Sequence, residues 1–184
     1  SALVVNAGLN DSICFGGSAV LGVSPSGAGY LYDWTPTASL TGATTASPTA
    51  SPAVTTTYSV TLTDPSGCNG TSTVTIFADP QITIAIAGID VTCNGACNGQ
   101  TIVIPSGGTP VYSYLWSSGC TGASCTSLCP GTYTVIVTDA WGCTATATTS
   151  FVEPSLLTAT AAATAAYCNG DTNRTAKAVA TGGT

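Results

Sequence analysis

The chain has 184 residues, a formal net charge of −6 and only 5% charged residues, far below the quarter usual for a globular protein. Arg174 and Lys177 are its only basic side chains, too few to neutralise a phosphate backbone, so nucleic-acid binding is excluded. Its longest apolar runs, such as Thr158 to Ala166, are short and broken by threonine, which excludes insertion as a membrane-spanning helix; the 34 threonines point instead to a hydroxyl-coated, strand-rich surface.

In chain order, period-2 patterns predict strands at Ala2 to Asn6, Ser18 to Val23, Tyr30 to Trp34, Thr56 to Thr63 and Ser72 to Phe77. The Ser/Thr/Ala/Pro-rich stretch between Trp34 and Thr55 reads as an ordered loop carrying one short strand. Thr56 to Cys68 reads Thr-Thr-Tyr-Ser-Val-Thr-Leu-Thr-Asp-Pro-Ser-Gly-Cys, with Tyr58, Val60, Leu62 and Asp64 on one face. The same order of strands then recurs at Gln81 to Ala87, Gln100 to Ile104, Tyr112 to Ser117, Thr132 to Thr138 and Thr144 to Val152. The phrase recurs with it, as Gly-Thr-Tyr-Thr-Val-Ile-Val-Thr-Asp-Ala-Trp-Gly-Cys at Gly131 to Cys143. From residue 155 onward only the opening of that second copy returns: Tyr167-Cys168-Asn169-Gly170 matches Thr92-Cys93-Asn94-Gly95, and Thr181 to Thr184 matches Ser106 to Thr109.

These repeats predict an all-β chain of tandem immunoglobulin-like β-sandwich modules, at 1–80 and 81–154, with the first part of a third at 155–184. Trp34 and Trp116 sit mid-module on Tyr-x-Trp strands, as core tryptophans do in such folds, and Tyr58 and Tyr133 open the penultimate strand, where a corner tyrosine is expected. Half a sandwich cannot bury its own face, so the third copy predicts either a longer array or completion by another subunit through strand addition. The linkers Ala78-Asp79-Pro80 and Val152-Glu153-Pro154 are short enough to predict a semi-rigid rod.

Nine cysteines without a histidine, at spacings that recur, predict disulfides and an extracellular location. Cys14 and Cys93 open their copies and Cys68 and Cys143 close them, which predicts Cys14 with Cys68 and Cys93 with Cys143. Cys97 with Cys129 and Cys120 with Cys125 is the economical pairing of the rest, leaving Cys168 unpaired in this segment with its partner expected past Thr184. The rival reading of Cys93, Cys97, Cys125 and Cys129 is a four-cysteine zinc site, which an oxidising exterior disfavours.

Asp64 and Asp139 end the repeated strand before a turn. The expected role there is to accept backbone N–H bonds in an Asx-type turn, with calcium at a module junction, alongside Asp79, Asp90 or Glu153, as the functional alternative; otherwise no cofactor is expected. Asp11-Ser12-Ile13 fits an O-glycosylation pattern on Ser12, while Asn10, Asn69 and Asn173 begin incidental sequons. With no histidine, cysteines committed to bridges and scattered carboxylates, no catalytic constellation can be assembled, and an enzyme is not expected. Tyr30, Tyr32, Tyr112 and Tyr114 could line a carbohydrate patch, though alternation around the tryptophans fits core packing better.

Through Cys-Asn-Gly, Gly-Gly-Thr-Pro, Tyr-Ser-Tyr-Leu-Trp-Ser, Leu-Cys-Pro-Gly-Thr-Tyr-Thr-Val-Ile-Val-Thr-Asp and Trp-Gly-Cys-Thr-Ala-Thr, residues 81–154 resemble the SprB-type repeat of large Bacteroidetes surface adhesins. The first copy is similar to the Ig-like or PKD-like modules of the same proteins, through Ala7 to Cys14, Tyr32-Asp33-Trp34-Thr35-Pro36 and Thr55 to Val60. The resemblance implies a glycoprotein filament or adhesin exported by a type IX-type system to the cell surface, in some members serving gliding motility. Two functions follow as expectations. One is a structural rod whose partners are copies of itself; the other is a recognition module whose loops, such as Leu40 to Pro52 or Ser117 to Cys129, bind glycan or another surface.

Overall fold

The computed structural model describes residues 3–164, 168 and 174–184. Its elements are strands: β1 (Asp11–Ile13), β2 (Ala19–Val20), β3 (Leu31–Thr35), β4 (Leu40–Thr41), β5 (Thr49–Ala50), β6 (Thr56–Thr63), β7 (Asn69–Ala78), β8 (Thr83–Ile89), β9 (Gly99–Ser106), β10 (Ser113–Trp116), β11 (Ser124–Leu128), β12 (Gly131–Thr138), β13 (Thr144–Phe151), β14 (Thr158–Ala163) and β15 (Ala176–Thr181). The chain is all-β and divides into two compact units.

The first unit comprises Ser1–Thr83 with Pro105–Tyr112 and Thr138–Ala145. One sheet runs β1-β7-β6-β3 and the other β2-β5-β4. Antiparallel β6 and β7 form its spine, and β1 adds to β7 in parallel, Ile13 opposite Ala78. Alternation sends Tyr58, Val60 and Leu62 of β6 and Val74 and Ile76 of β7 into a core with Trp34, Leu21 and Ala50. The outward face carries threonines, and opposed Thr57 and Thr75 join hydroxyls at 2.8 Å, the hydroxyl coat that replaces surface charge. The stretch between Trp34 and Thr55 holds two short strands, β4 and β5, instead of one. At the N-terminal end, the expected strand through Asn6 is reduced to a single bridge from Asn6 to Ser24.

The second unit comprises Ile84–Ile104, Ser113–Val137 and Thr146–Thr184. Sheets β10-β12-β13 and β11-β9-β8 bury Val103, Trp116, Leu128, Val135, Val137 and Phe151. The hairpin β14-β15 pairs Thr158 with Thr181 through Ala163 with Ala176, and every residue of both strands is exposed. It reproduces a detail of the copy before it: Thr83 and Ser106 join hydroxyls at 2.7 Å, and Thr158 and Thr181, 75 residues on, do so at 2.8 Å.

The tryptophans occupy matching places. Trp34 is fully buried and Trp116 is 2% exposed, and each indole N–H donates to a loop carbonyl at 3.1 Å, that of Thr45 and that of Gly122. The tyrosines diverge. Tyr133 is half-buried, packs edge-on against Phe151 and donates to the Cys129 carbonyl four residues upstream, the corner bond. Tyr58 is fully buried and its hydroxyl meets that of Ser39, so a side chain takes the place of the backbone acceptor.

The bridges are Cys14–Cys143, Cys97–Cys129 and Cys120–Cys125, while Cys68, Cys93 and Cys168 are free and exposed. The expected pairs Cys14 with Cys68 and Cys93 with Cys143 therefore do not form. The reason is strand length. Cys14 follows β1, level with the end of β7, whereas Cys68 precedes the start of β7. Ten residues of strand place them about 30 Å apart, and a disulfide needs Cα atoms within about 7 Å. Cys93 and Cys143 are separated in the same way by β13: Cys143 precedes it, and Asn94 donates to the Pro154 carbonyl beyond its end.

Candidate functional site

Both copies of the repeated phrase close in the same turn. In the first, the Asp64 carboxylate Oδ1 accepts from the Ser66 and Cys68 N–H groups at 2.9 Å and from the Ser66 hydroxyl at 2.7 Å; the Asp64 N–H donates to the Cys68 carbonyl and the Gly67 N–H to the Asp64 carbonyl. In the second, Asp139 Oδ1 accepts from the Trp141 and Cys143 N–H groups at 2.9 Å, its own N–H donates to Cys143 and Gly142 donates back. Aspartate suits this position because its short carboxylate spans the turn and pairs the backbone donors two and four residues on. The Ser66 hydroxyl, followed by the Cys68 N–H, holds Asp64 below the usual carboxylate pKa.

The opening loops match as well. Gly17 N–H donates to the Cys14 carbonyl at 2.8 Å and Ala96 N–H to the Cys93 carbonyl at 3.1 Å.

In the first unit the second copy's closing turn is seated and stapled. Cys143 bonds Cys14, and Asp139 Oδ2 accepts from the Thr109 N–H at 3.1 Å. The Thr109 hydroxyl donates to Asp79 Oδ1 at 2.6 Å, and the Asp79 N–H donates to the Ile13 carbonyl beside Cys14. Asp79 is 1% exposed and its Oδ2 has no donor. Burial, with the neighbouring Asp139 carboxylate, raises its pKa. Burial also works against charge on Asp139, but the hydrogen bond from Asp79 and the N–H groups of Thr109, Cys143 and Trp141 outweigh it and lower its pKa. The two shifts run in opposite directions, so of the two neighbouring carboxylates Asp79 is the one that holds a proton more readily. Gly108 is needed here because a Cβ would stand 2.7 Å from Asp139 Oδ2.

Among the described residues, Asp79, Asp139 and Cys143 come within ligating distance of one another. The donor set fits a proton better than calcium: the sulfur is committed to a disulfide, and two carboxylates and a hydroxyl fall short of six to eight oxygens. Of the other calcium candidates, Asp64 is held in its own turn, Asp90 accepts from the Val152 N–H and Glu153 from the Gly95 N–H. The zinc alternative loses its thiolates, since Cys97, Cys125 and Cys129 are in disulfides. Ser12 is exposed on β1, at the edge of its sheet, and Asn10 and Asn69 are exposed; Asn173 lies outside the described residues. Asp79 was legible as an acid in a linker. Thr109 carried no signal beyond its place after Gly-Gly.

The family described as the SprB repeat matches residues 89–121. No curated protein matches the chain. Among solved structures, the N-terminal eight Ig domains of Down Syndrome Cell Adhesion Molecule align at a TM-score of 0.60 and 11% identity, over 82% of this chain and 24% of that one. The C-terminal 282-residue fragment of intimin, in complex with the intimin-binding domain of the translocated intimin receptor, aligns at 0.52 and 16% identity, over 86% and 66%. The chain therefore spans about a quarter of the first structure and 66% of the second. At these identities the likeness is one of fold, and the fold is immunoglobulin-like.

Proposed function

We propose that the chain is a structural repeat segment of an extracellular, surface-associated adhesin or filament, with modules at 1–80, 81–154 and 155–184 acting as a semi-rigid rod. The observation that carries this reading is the Cys14–Cys143 bond, which ties the opening of one repeat copy to the closing turn of the next. A bond of that register resists extension along the chain and requires an oxidising exterior. The SprB repeat match and the resemblance of cell-adhesion and intimin structures support the same setting, and no helix of the described residues is long and apolar enough to cross a membrane. The carboxylates held in turns, with the buried Asp79–Asp139 pair closed off from solvent, support a non-catalytic role. Self-association, surface display by a type IX-type system and glycosylation at Ser12 belong to this proposal.

Small-angle scattering tests the rod. An elongated particle whose maximum dimension is unchanged by salt is the expected result, and the reading is overturned by a broad, flexible distribution that collapses to a compact particle.

A further inference from the structure

In the first unit a closing turn stands beside the opening cysteine and forms one wall of a cleft of about 280 Å³ with Cys14, Pro80, Gln81 and Ile82; in the second unit no closing turn of the described residues stands beside Cys93. A cleft of about 370 Å³ lies there, lined by Cys93, Asn94, Leu156, Leu157, Gly183 and Thr184 among others. The backbone around the two places corresponds at a spacing of 75 residues. Gly107 and Gly182, 75 residues apart, both have positive φ and both sit where a Cβ would strike a backbone carbonyl, that of Gln81 at 2.0 Å and that of Leu156 at 2.1 Å. Gly108 N–H donates to the Pro80 carbonyl at 3.0 Å and Gly183 N–H to the Ser155 carbonyl at 2.9 Å. Two differences mark the second place: Pro154 stands 75 residues after Asp79, so the buried carboxylate of the first seat has no counterpart there, and no closing turn adjoins it. The Cβ position of Gly108 faces the Asp139 carboxylate at 2.7 Å, whereas that of Gly183 meets only Leu157, at 3.5 Å. Thr184 stands where Thr109 offers its N–H to that carboxylate, and Cys93 is exposed and unbonded where Cys14 is bonded.

We propose that the cleft beside Cys93 is the seat of a further closing turn of the form Asp-x-x-Gly-Cys, locked by a disulfide from its cysteine to Cys93. The turn is supplied by the same polypeptide: in the occupied seat the segment that forms the wall, Gly107 to Thr109, continues to Cys143, and the wall of the open seat is Gly182 to Thr184. Each opening cysteine thus bonds the closing cysteine of the following copy, a register of which Cys14–Cys143 is one link. Closing the bond removes two protons and two electrons from the two thiols, taken up by an external disulfide such as oxidised glutathione, which leaves as two thiols. This inference rests on the repeat-array reading.

The test extends the chain after Thr184 with a second copy of Pro110 to Glu153, its Cys129 equivalent replaced by serine because Thr172 stands where Cys97 would be its partner. After oxidation with glutathione disulfide, unreduced peptide mapping should join Cys93 to the appended closing cysteine, with loss of Cys93 alkylation by iodoacetamide. A bond from the appended cysteine to Cys168 overturns the register, and disulfide-linked oligomers of the unextended chain through Cys68 and Cys93 overturn the intrachain source. A second measurement does not need the extension to fold. A Thr138–Thr144 peptide whose cysteine carries thionitrobenzoate should label Cys93 of the native chain ahead of Cys68 and Cys168, as the Cys93 thiolate expels thionitrobenzoate. The Asp139→Asn peptide should lose that preference, and equal labelling of all three thiols overturns the proposal. Neither readout involves rod shape or adhesion, so a failed rod leaves this bond standing, and a failed bond leaves the scattering experiment to judge the rod.

Discussion

At the scale of single residues, the most consequential group is Asp79. Its raised pKa means that its contribution to stability is fully present below its unfolded value and is lost as pH rises through the raised one. Asp139 is lowered, so its contribution is present above its unfolded value and lost as pH falls through the lowered one. The first unit should therefore be most stable between the two. Asp79→Asn retains an N–H donor toward Asp139 and an acceptor for Thr109, and should abolish the loss on the high-pH side; thermal unfolding as a function of pH measures this, and an unchanged high-pH limb would refute the raised Asp79. Asp139→Asn should destabilise by about 1–3 kcal/mol, because buried N–H donors lose their charged acceptor. Trp34 is the other decisive residue. Fully buried against Val60, with its indole N–H satisfied, it should cost about 3–5 kcal/mol when replaced by alanine, read from denaturant midpoints.

At the scale of elements, the turns do more than the strands to distinguish this chain. The alternation of β6 and β12 was readable directly, because a two-residue period buries Tyr58, Val60 and Leu62 or Val135 and Val137 whatever surrounds them. The aspartate turns were readable too, since Asp-x-x-Gly-Cys closes on itself through local hydrogen bonds. Gly107 was not, because its need comes from the Gln81 carbonyl, which lies 26 positions earlier in sequence and touches only after folding. Gly107→Ala combines that overlap with a positive φ and should destabilise the first unit by more than about 1 kcal/mol. Urea unfolding compared with an alanine at exposed Gly119, where a Cβ meets nothing, separates the clash from the backbone strain.

At the scale of the whole molecule, the disulfide register governs. Removing the Cys14–Cys143 bond by Cys143→Ser opens a loop of 129 residues and should cost about 2–5 kcal/mol in the first unit. Cys68→Ser, at an exposed and unbonded thiol, should change stability by less than about 0.5 kcal/mol. Equal effects of the two in denaturant titrations would contradict the observed pairing. Period, composition and the repeated tyrosine-aspartate-cysteine spacing specify the strands and the turns, because each depends on neighbours within a dozen residues, and the order of those strands points to the immunoglobulin-like fold, whose pairings such as β1 with β7 are made across the chain. The partner of each cysteine does not. Opening and closing cysteines of one copy are near in the pattern yet a strand length apart in space, so which thiol meets Cys14, and which carboxylate meets Asp79, was decided by how the sheets pack and where β7 ends.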